Sequence, residues 1–264
     1  MDVAGTADAA RSRASPARGK PRATRSARTT GRPAGVDAPD PDRAARRSGR
    51  AGSWASNMAE PGRRPLHETI AGTSVTLLRT PSPETWLAAV LADFDAFLLD
   101  HAACERKASA MAMHLAAHYR DRSRLVESMV DLACEELDHF RQVYRIARDR
   151  GLTLAADEKD EYVNALNALS RRGSEGYFLD RLLLAGIIEA RGCERFGLIA
   201  DALEEDSLKA FYRQITRSES RHSELFFLLA LEYFPAHEVR ERQAALLDAE
   251  AQIVARLPIR ARLH

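Results

Sequence analysis

The phrase Glu-x-x-His occurs twice in this chain, as Glu136-Leu137-Asp138-His139 and Glu219-Ser220-Arg221-His222, 83 residues apart. Residues three apart share a helical face, so each phrase sets a carboxylate beside an imidazole. A further glutamate precedes each on an apolar helical stripe: Glu105 lies 31 residues before Glu136, and Glu189 lies 30 before Glu219. A carboxylate among leucines must be paired or bound to metal, because burying the bare charge is strongly unfavourable. Four glutamates and two histidines on four helices are the ligand set of a bundle that cages two carboxylate-bridged metal ions. Carboxylate and imidazole donors with open coordination positions suit iron, or less often manganese. The absence of closely paired cysteines argues against a thiolate zinc site.

The elements that must position these residues are helices. Ser82 is expected to cap a first long helix running from Pro83 to about Tyr119. Its stripe is Leu87, Leu91, Phe94, Leu98, Ala102, Glu105, Ala108, Ala112 and Leu115. A polar turn leads into a second helix carrying Leu125, Met129, Leu132, Glu136, His139, Val143 and Ile146, ended by Gly151. A connector of 24 residues follows, with a short helical segment near residues 157–169. Ser174 opens a third helix through Phe178, Leu182, Gly186, Glu189, Cys193, Phe196 and Ala200. The fourth carries Leu208, Phe211, Ile215, Glu219, His222, Phe226 and Leu229 until Pro235, and a fifth, from about His237 to Leu257, is read as a packing brace. Nothing alternates as strands do. The reading is all-α. Short turns make two antiparallel hairpins, and the long connector between them predicts a ferritin-like four-helix bundle with a crossover and an extra C-terminal helix.

Some residues compete with this ligand set. Glu194, in Cys193-Glu194-Arg195, echoes Cys104-Glu105-Arg106 and rivals Glu189. Five residues turn a helix by about 140°, so both cannot face one metal. Glu189 shares the apolar stripe and is preferred, with Glu194 left to an ion pair. Glu135 points about 100° away from Glu136 and is read as solvated or as supporting a ligand. His101, one turn before Glu105, lines the pocket or is a satisfied core histidine. Phe196, Phe211 and Phe226 are candidates for lining a substrate pocket, and Arg191, Arg195, Arg217 and Arg221 for contacting phosphate at its mouth.

Composition bounds the rest. Residues 1–57 hold 12 Arg/Lys against 5 Asp/Glu, a balance of +7, so the remainder carries −6 of the formal +1. Residues 1–79 are expected to be a disordered basic Ala/Arg/Pro-rich tail, since they hold too few large apolar residues to fold; residues 80–264 form the domain. Met58 offers an alternative start, and an organellar transit peptide is a weaker reading of the tail. The N-terminus lacks an apolar signal core, and the richest apolar run, Leu182 to Ile188, is too short to cross a membrane. Cytoplasmic location is expected. Cys104, Cys134 and Cys193 are read as small buried apolar residues in a reducing compartment.

The phrases Asp100-His101-Ala102-Ala103-Cys104-Glu105-Arg106-Lys107-Ala108, Glu135 to His139, Ile188 to Phe196 and Arg217 to His222 closely resemble the MiaE family. The resemblance spans about residues 80–258 and implies a ferritin-like, non-haem di-iron monooxygenase. Its implied substrate is the isopentenyl group of 2-methylthio-N6-isopentenyladenosine at position 37 of tRNA. It also implies O2, a reductase or ferredoxin-type electron donor, and two iron ions held by Glu105, Glu136, His139, Glu189, Glu219 and His222. The competing reading is an iron-handling ferritin-like protein with no organic substrate. Storage requires a cage, whereas the crossover segment and fifth helix favour a monomer or small oligomer.

Overall fold

The computed structural model describes residues 78–154 and 156–264. The expected tail falls almost wholly outside them. Among the described residues there are seven helices and no strand: α1 (Glu84–Ala92), α2 (Phe94–His118), α3 (Ser123–Asp149), α4 (Glu161–Asn167), α5 (Ser174–Ala202), α6 (Asp206–Tyr233) and α7 (Ala236–Val254). No described helix is long and apolar enough to cross a membrane.

The first long helix is two helices. Asp93 takes φ −139° and ψ 66°, and its side chain accepts from the Ala96 N–H at 3.1 Å, so it caps α2 and interrupts the run. The break resets the helical phase. Trp86 and Val90 are buried on α1, whereas Leu91, expected on the core stripe, is 44% exposed. Ser82 does not cap α1 either; Pro83 stands at that position without a side-chain cap. At the other end of the hairpin the expectation holds. Gly151 adopts φ 79° after α3, and the Leu152 N–H reaches back to the Ala147 carbonyl at 2.9 Å.

α2 and α3 form one antiparallel hairpin, α5 and α6 the other. Side-chain contacts fix their directions. Arg150, just after α3, stands over the Phe94 ring at the start of α2. Phe178, near the start of α5, packs instead on Tyr119 at the far end of α2 and on Tyr233 at the end of α6. The connector carrying α4 therefore traverses the length of the bundle, and α5 runs parallel to α3. This is the crossover.

Apolar layers lie on both sides of the bundle's middle. Toward the Tyr119 end, Leu115, Leu125, Met129, Leu182, Phe226 and Leu229 belong to the larger core. Toward the Phe94 end, Trp86, Phe97, Phe196, Ile199, Tyr212 and Ile215 form a smaller, more aromatic one. The six glutamates and histidines of the two hairpins occupy the heptads between these layers. α5 and α6 approach closely at Gly186, where a Cβ would meet Phe227 Cζ at 2.9 Å and Phe226 Cβ at 3.2 Å. The Gly186 carbonyl there accepts from Ser223 Oγ at 2.9 Å.

α7 is the expected brace, burying Val239, Leu246, Leu247 and Val254. It also carries a fully buried acid. Glu250 Oε1 accepts from Arg191 Nε at 2.9 Å and from the Tyr162 hydroxyl at 3.0 Å, locking α7 to α5 and α4. The cysteines depart from expectation: Cys104 and Cys193 are half-buried and Cys134 is exposed.

Candidate metal centre

Glu105, Glu136, His139, Glu189, Glu219 and His222 all point into the middle of the bundle and are buried. They form two overlapping groups. In one, donor atoms of Glu105, Glu136, His139 and Glu219 lie within 4.8 Å of one another; in the other, those of Glu136, Glu189, Glu219 and His222 do. Glu136 and Glu219 belong to both. The shared pair is thus the glutamate of each Glu-x-x-His, and each lone glutamate serves one group. Such an arrangement is compatible with two cation positions that share two carboxylates.

The local electrostatics call for cations. Glu136 Oε1 and Oε2, His139 Nδ1 and Glu219 Oε1 are buried without a hydrogen bond. The carboxylate oxygens do face imidazoles as charges, with His222 Nδ1 2.8 Å from Glu136 Oε1 and His139 Nδ1 3.3 Å from Glu219 Oε1. Buried polar atoms are nearly always hydrogen-bonded, however, so four without a well-aligned bond in one place fit a shared cation. Burial, aided by the charges of Glu219 and Glu136, drives the Glu189 carboxyl well above its ordinary range. Burial and Glu105 raise Glu136 in the same way. Burial would lower the His139 imidazole, but the carboxylates of Glu105, Glu136 and Glu219 prevail and push it up to about 12. Without metal, protons supply the positive charge that this carboxylate cluster demands. The donor set, all carboxylate and imidazole, fits hard divalent ions such as iron or manganese.

Neighbouring groups orient the candidate ligands, and differently in the two halves. His222 Nε2 lies 3.0 Å from Glu135 Oε2, which leaves its Nδ1 facing the cluster. Glu135 in turn accepts from Ser218 Oγ and Arg221, and the His222 imidazole holds its carboxyl down at about 2. Glu135 thus holds the ring of a candidate ligand, in line with one of its two sequence readings. In the other half, His101 Nε2 lies 2.5 Å from Glu105 Oε1, and His101 Nδ1 lies 3.2 Å from the Tyr212 hydroxyl. Burial pushes the His101 imidazole down to about 3, so it is neutral. Tyr212 was not singled out from the sequence; on a helical stripe a buried tyrosine reads as ordinary core.

A cavity of about 150 Å³ reaches the cluster between α2 and α5. Glu105, Glu189 and Glu219 stand at its base, and its walls include Ala108, Met111, Leu184, Ile188 and Phe196. Of the three phenylalanines considered, Phe196 alone lines it. Apolar cavities of ~150 Å³ accept a group the size of benzene. Burial pushes the Cys104 thiol, also in the wall, far above its usual range, so it stays a protonated, weakly polar surface.

The four arginines expected at the mouth are elsewhere. Arg191 is fully buried, bonded to Glu250, Glu194, Ser82 Oγ and the Thr80 carbonyl. Arg195 is also buried, donating to Ser82 Oγ and the Leu263 carbonyl and stacking 4.6 Å over Trp86. Neither can meet a phosphate; both tie the segment before α1 and the C-terminal residues to α5. Glu194 completes this network by accepting from the Ser82 N–H and hydroxyl at 2.6 and 2.7 Å. Arg217 and Arg221 are exposed but lie on the α3–α6 side near Glu135, across the bundle from the cavity.

A crossover four-helix bundle of this kind defines the class of ferritin-like helical proteins, and its buried Glu/His cluster, with two carboxylates common to both groups, is compatible with a pair of metal ions. Within that class, residues 69–264 match the family described as tRNA-(MS[2]IO[6]A)-hydroxylase (MiaE), and the chain belongs to it. It is 34% identical over 177 residues to the tRNA 2-(methylsulfanyl)-N(6)-isopentenyladenosine(37) hydroxylase of Pseudomonas putida, covering 67% of this chain and 86% of that one. The Salmonella typhimurium protein of the same name is 32% identical over 131 residues, covering 50% of this chain and 48% of the other. A solved structure, a Synechococcus protein with aldehyde deformylating oxygenase activity, superposes with a TM-score of 0.69 at 33% identity, covering 72% of this chain and 96% of that one.

Proposed function

We propose that this protein is an O2-dependent di-iron monooxygenase that hydroxylates the isopentenyl group of 2-methylthio-N6-isopentenyladenosine at position 37 of tRNA. The observation that carries the reading is the apolar cavity ending on Glu105, Glu189 and Glu219. An iron-handling protein needs a polar route for hydrated ions to its carboxylates; a hydrocarbon-sized pocket with mainly apolar walls beside them suits an organic substrate instead.

Glu105, Glu136, His139, Glu189, Glu219 and His222 would hold two iron ions, with Glu136 and Glu219 common to both. When bound, this pair supplies reductive activation of O2. One oxygen atom enters a C–H bond, and the other leaves as water with two electrons and two protons from a reductase or ferredoxin-type donor. The chain itself does the positioning. Glu135 fixes the ring of His222, and His101 fixes the carboxylate of Glu105. Ala108, Met111, Leu184 and Ile188 receive the branched hydrocarbon and exclude water from the reacting carbon. The enzyme acts as a monomer or small oligomer in the cytoplasm.

The test is hydroxylation of isopentenylated tRNA by the iron-loaded, reduced protein, read by mass spectrometry of the digested nucleosides. A mass gain of one oxygen on the prenylated adenosine is expected. Iron uptake into a large shell, with no change in that nucleoside, would instead establish the iron-handling reading.

A further inference from the structure

The cavity has room for the hydrocarbon tail alone, which leaves the attached adenine and its ribose-phosphate outside, at the mouth. Sequence-specific RNA recognition works on unstacked loop nucleotides whose bases can be splayed into a protein site. The mouth must therefore meet a splayed base and the backbone phosphates beside it. Besides the apolar walls, the cavity is lined by Lys107 of α2, Arg181 of α5, Asp160 and Asn167 of the crossover, and His264.

These polar residues divide by how their charge is already used. Asp160 lies 3.1 Å from His264 Nδ1 and accepts from the Val163 N–H at 2.8 Å; burial opposes its ionisation, yet the His264 contact holds its carboxyl at about 2. Its charge serves the cap of α4. Arg106, next to Lys107, pairs with Asp157, and Arg262 pairs with Glu158. Lys107 and Arg181 differ. Among the described residues neither forms an ion pair: Lys107 Nζ donates only to the Glu158 carbonyl at 3.3 Å, its charge helping to hold down the Asp157, Glu158 and Asp160 carboxyls without pairing with any of them, and Arg181 Nη1 donates only to Asn167 Oδ1 at 3.5 Å. Both are half-buried. Two half-buried cations, neither of them in an ion pair, thus line one cavity, Lys107 from α2 and Arg181 from α5.

Resting on the hydroxylase reading above, the structure assigns Lys107 and Arg181 as the residues that grip the phosphodiesters flanking the modified adenosine, with Asn167 beside Arg181. Cations matter most here because residues 58–264 carry a net charge of −6, so anionic RNA is drawn in by local positive positions rather than by a basic face. The crossover thereby acquires a use beyond topology: α4 contributes Val163 to the pocket wall and carries Asn167, the hydrogen-bond acceptor that aims Arg181.

The experiment uses the iron-loaded enzyme and a synthetic anticodon stem-loop containing the prenylated adenosine, in two forms. One has native linkages; the other has a neutral methylphosphonate on either side of that nucleotide. For the native stem-loop, Lys107→Gln and Arg181→Gln should each raise KM by roughly tenfold, the loss of a charge-assisted contact. Each should also flatten the dependence of log KM on log salt by about 0.7–1. The neutral linkage should raise the wild-type KM similarly while adding little to that of the double variant, since the same contact cannot be lost twice. Metal content and melting temperature, measured on each variant, separate this from a folding defect. Additive losses would overturn the assignment, as would a wild-type KM in the double variant. Weakening by Arg217→Gln with Arg221→Gln in their place would put the RNA on the opposite side of the bundle. Wild-type enzyme that binds the stem-loop but never oxidises it would overturn the functional reading first, and this assignment with it.

Discussion

His101 Nε2 and Glu105 Oε1 are 2.5 Å apart in the buried middle of the bundle, and the position equivalent to His101 in the second hairpin, four residues before Glu189, is Ala185. The pseudo-twofold relation between the hairpins therefore ends at the ligands. With a neutral imidazole, Nε2–H donates to Glu105 and Nδ1 accepts from the Tyr212 hydroxyl, so a tyrosine on α6 fixes the tautomer that steadies a ligand on α2.

That asymmetry predicts unequal metal sites. His101→Leu should weaken one of two bound Co²⁺ ions by about 10–100-fold and leave the other nearly unchanged. Optical titration with Co²⁺ would then show two separated steps. Tyr212→Phe should keep both ions, reduce stability by about 1 kcal/mol and shift the spectrum of one ion only. Equal weakening of both ions would contradict the reading.

Sharing of Glu136 and Glu219 predicts a different hierarchy among the ligands. Glu219→Ala or Glu136→Ala should abolish tight binding of both ions, because each removes a donor from both groups. Glu105→Ala and Glu189→Ala should each retain one. Metal-to-protein ratios after gel filtration decide the matter, with helical content by circular dichroism as the control.

The pH dependence of metal binding has a definite sign. In the metal-free protein the His139 imidazole is raised from 6.5 to about 12, and Glu189 and Glu136 are raised as well. The stabilisation from the His139 proton is complete below pH 6.5 and is lost as pH rises through about 12, so at neutral pH the proton is still bound. A metal ion must displace it. Apparent affinity for Co²⁺ should therefore tighten between about pH 6 and 8, by up to tenfold per pH unit for each proton released. A flat profile would rule out protonated ligands in the metal-free state.

Glu250 offers a test of the brace. Replacing it by Ala removes one of the two carboxylates on the fully buried Arg191 guanidinium and leaves its Nε–H without an acceptor, while Glu194 stays 3.0 Å from Nη1; the loss of such a buried charged hydrogen bond costs about 1–3 kcal/mol. The melting temperature should fall by roughly 5 °C. An unchanged melting temperature would mean that water enters to solvate Arg191.

Much of the site was legible because helical spacing alone decides which residues share a face. Two Glu-x-x-His phrases, each about 30 residues from a lone glutamate on an apolar stripe, could be placed at one height by counting residues. Glu189 could be preferred over Glu194 by the same rotation argument, and the structure brings Glu189 alone of the two into the cluster. Counting failed where a side chain acts on a partner distant in sequence. Ser82 looks like a helix cap, yet its hydroxyl is taken by Glu194, 112 residues away. Arg191 and Arg195 look like surface cations because their buried partners, Glu250 and the Leu263 carbonyl, lie 59 and 68 residues further on. The break at Asp93 was written in a capping residue, but an uninterrupted apolar stripe on either side concealed it.

The 3.6-residue period and the burial of charge among leucines were thus enough to place the four bundle helices, except for the break at Asp93, together with their hairpin pairing and the six residues that converge. Only the tertiary structure decided which carboxylates are common to both groups, that Tyr212 reaches Glu105 through His101, and that the opening lies between α2 and α5 beneath the crossover. Those facts depend on distances between helices that have no covalent relation to one another, and such distances are set by how whole side-chain surfaces pack rather than by any local run of residues.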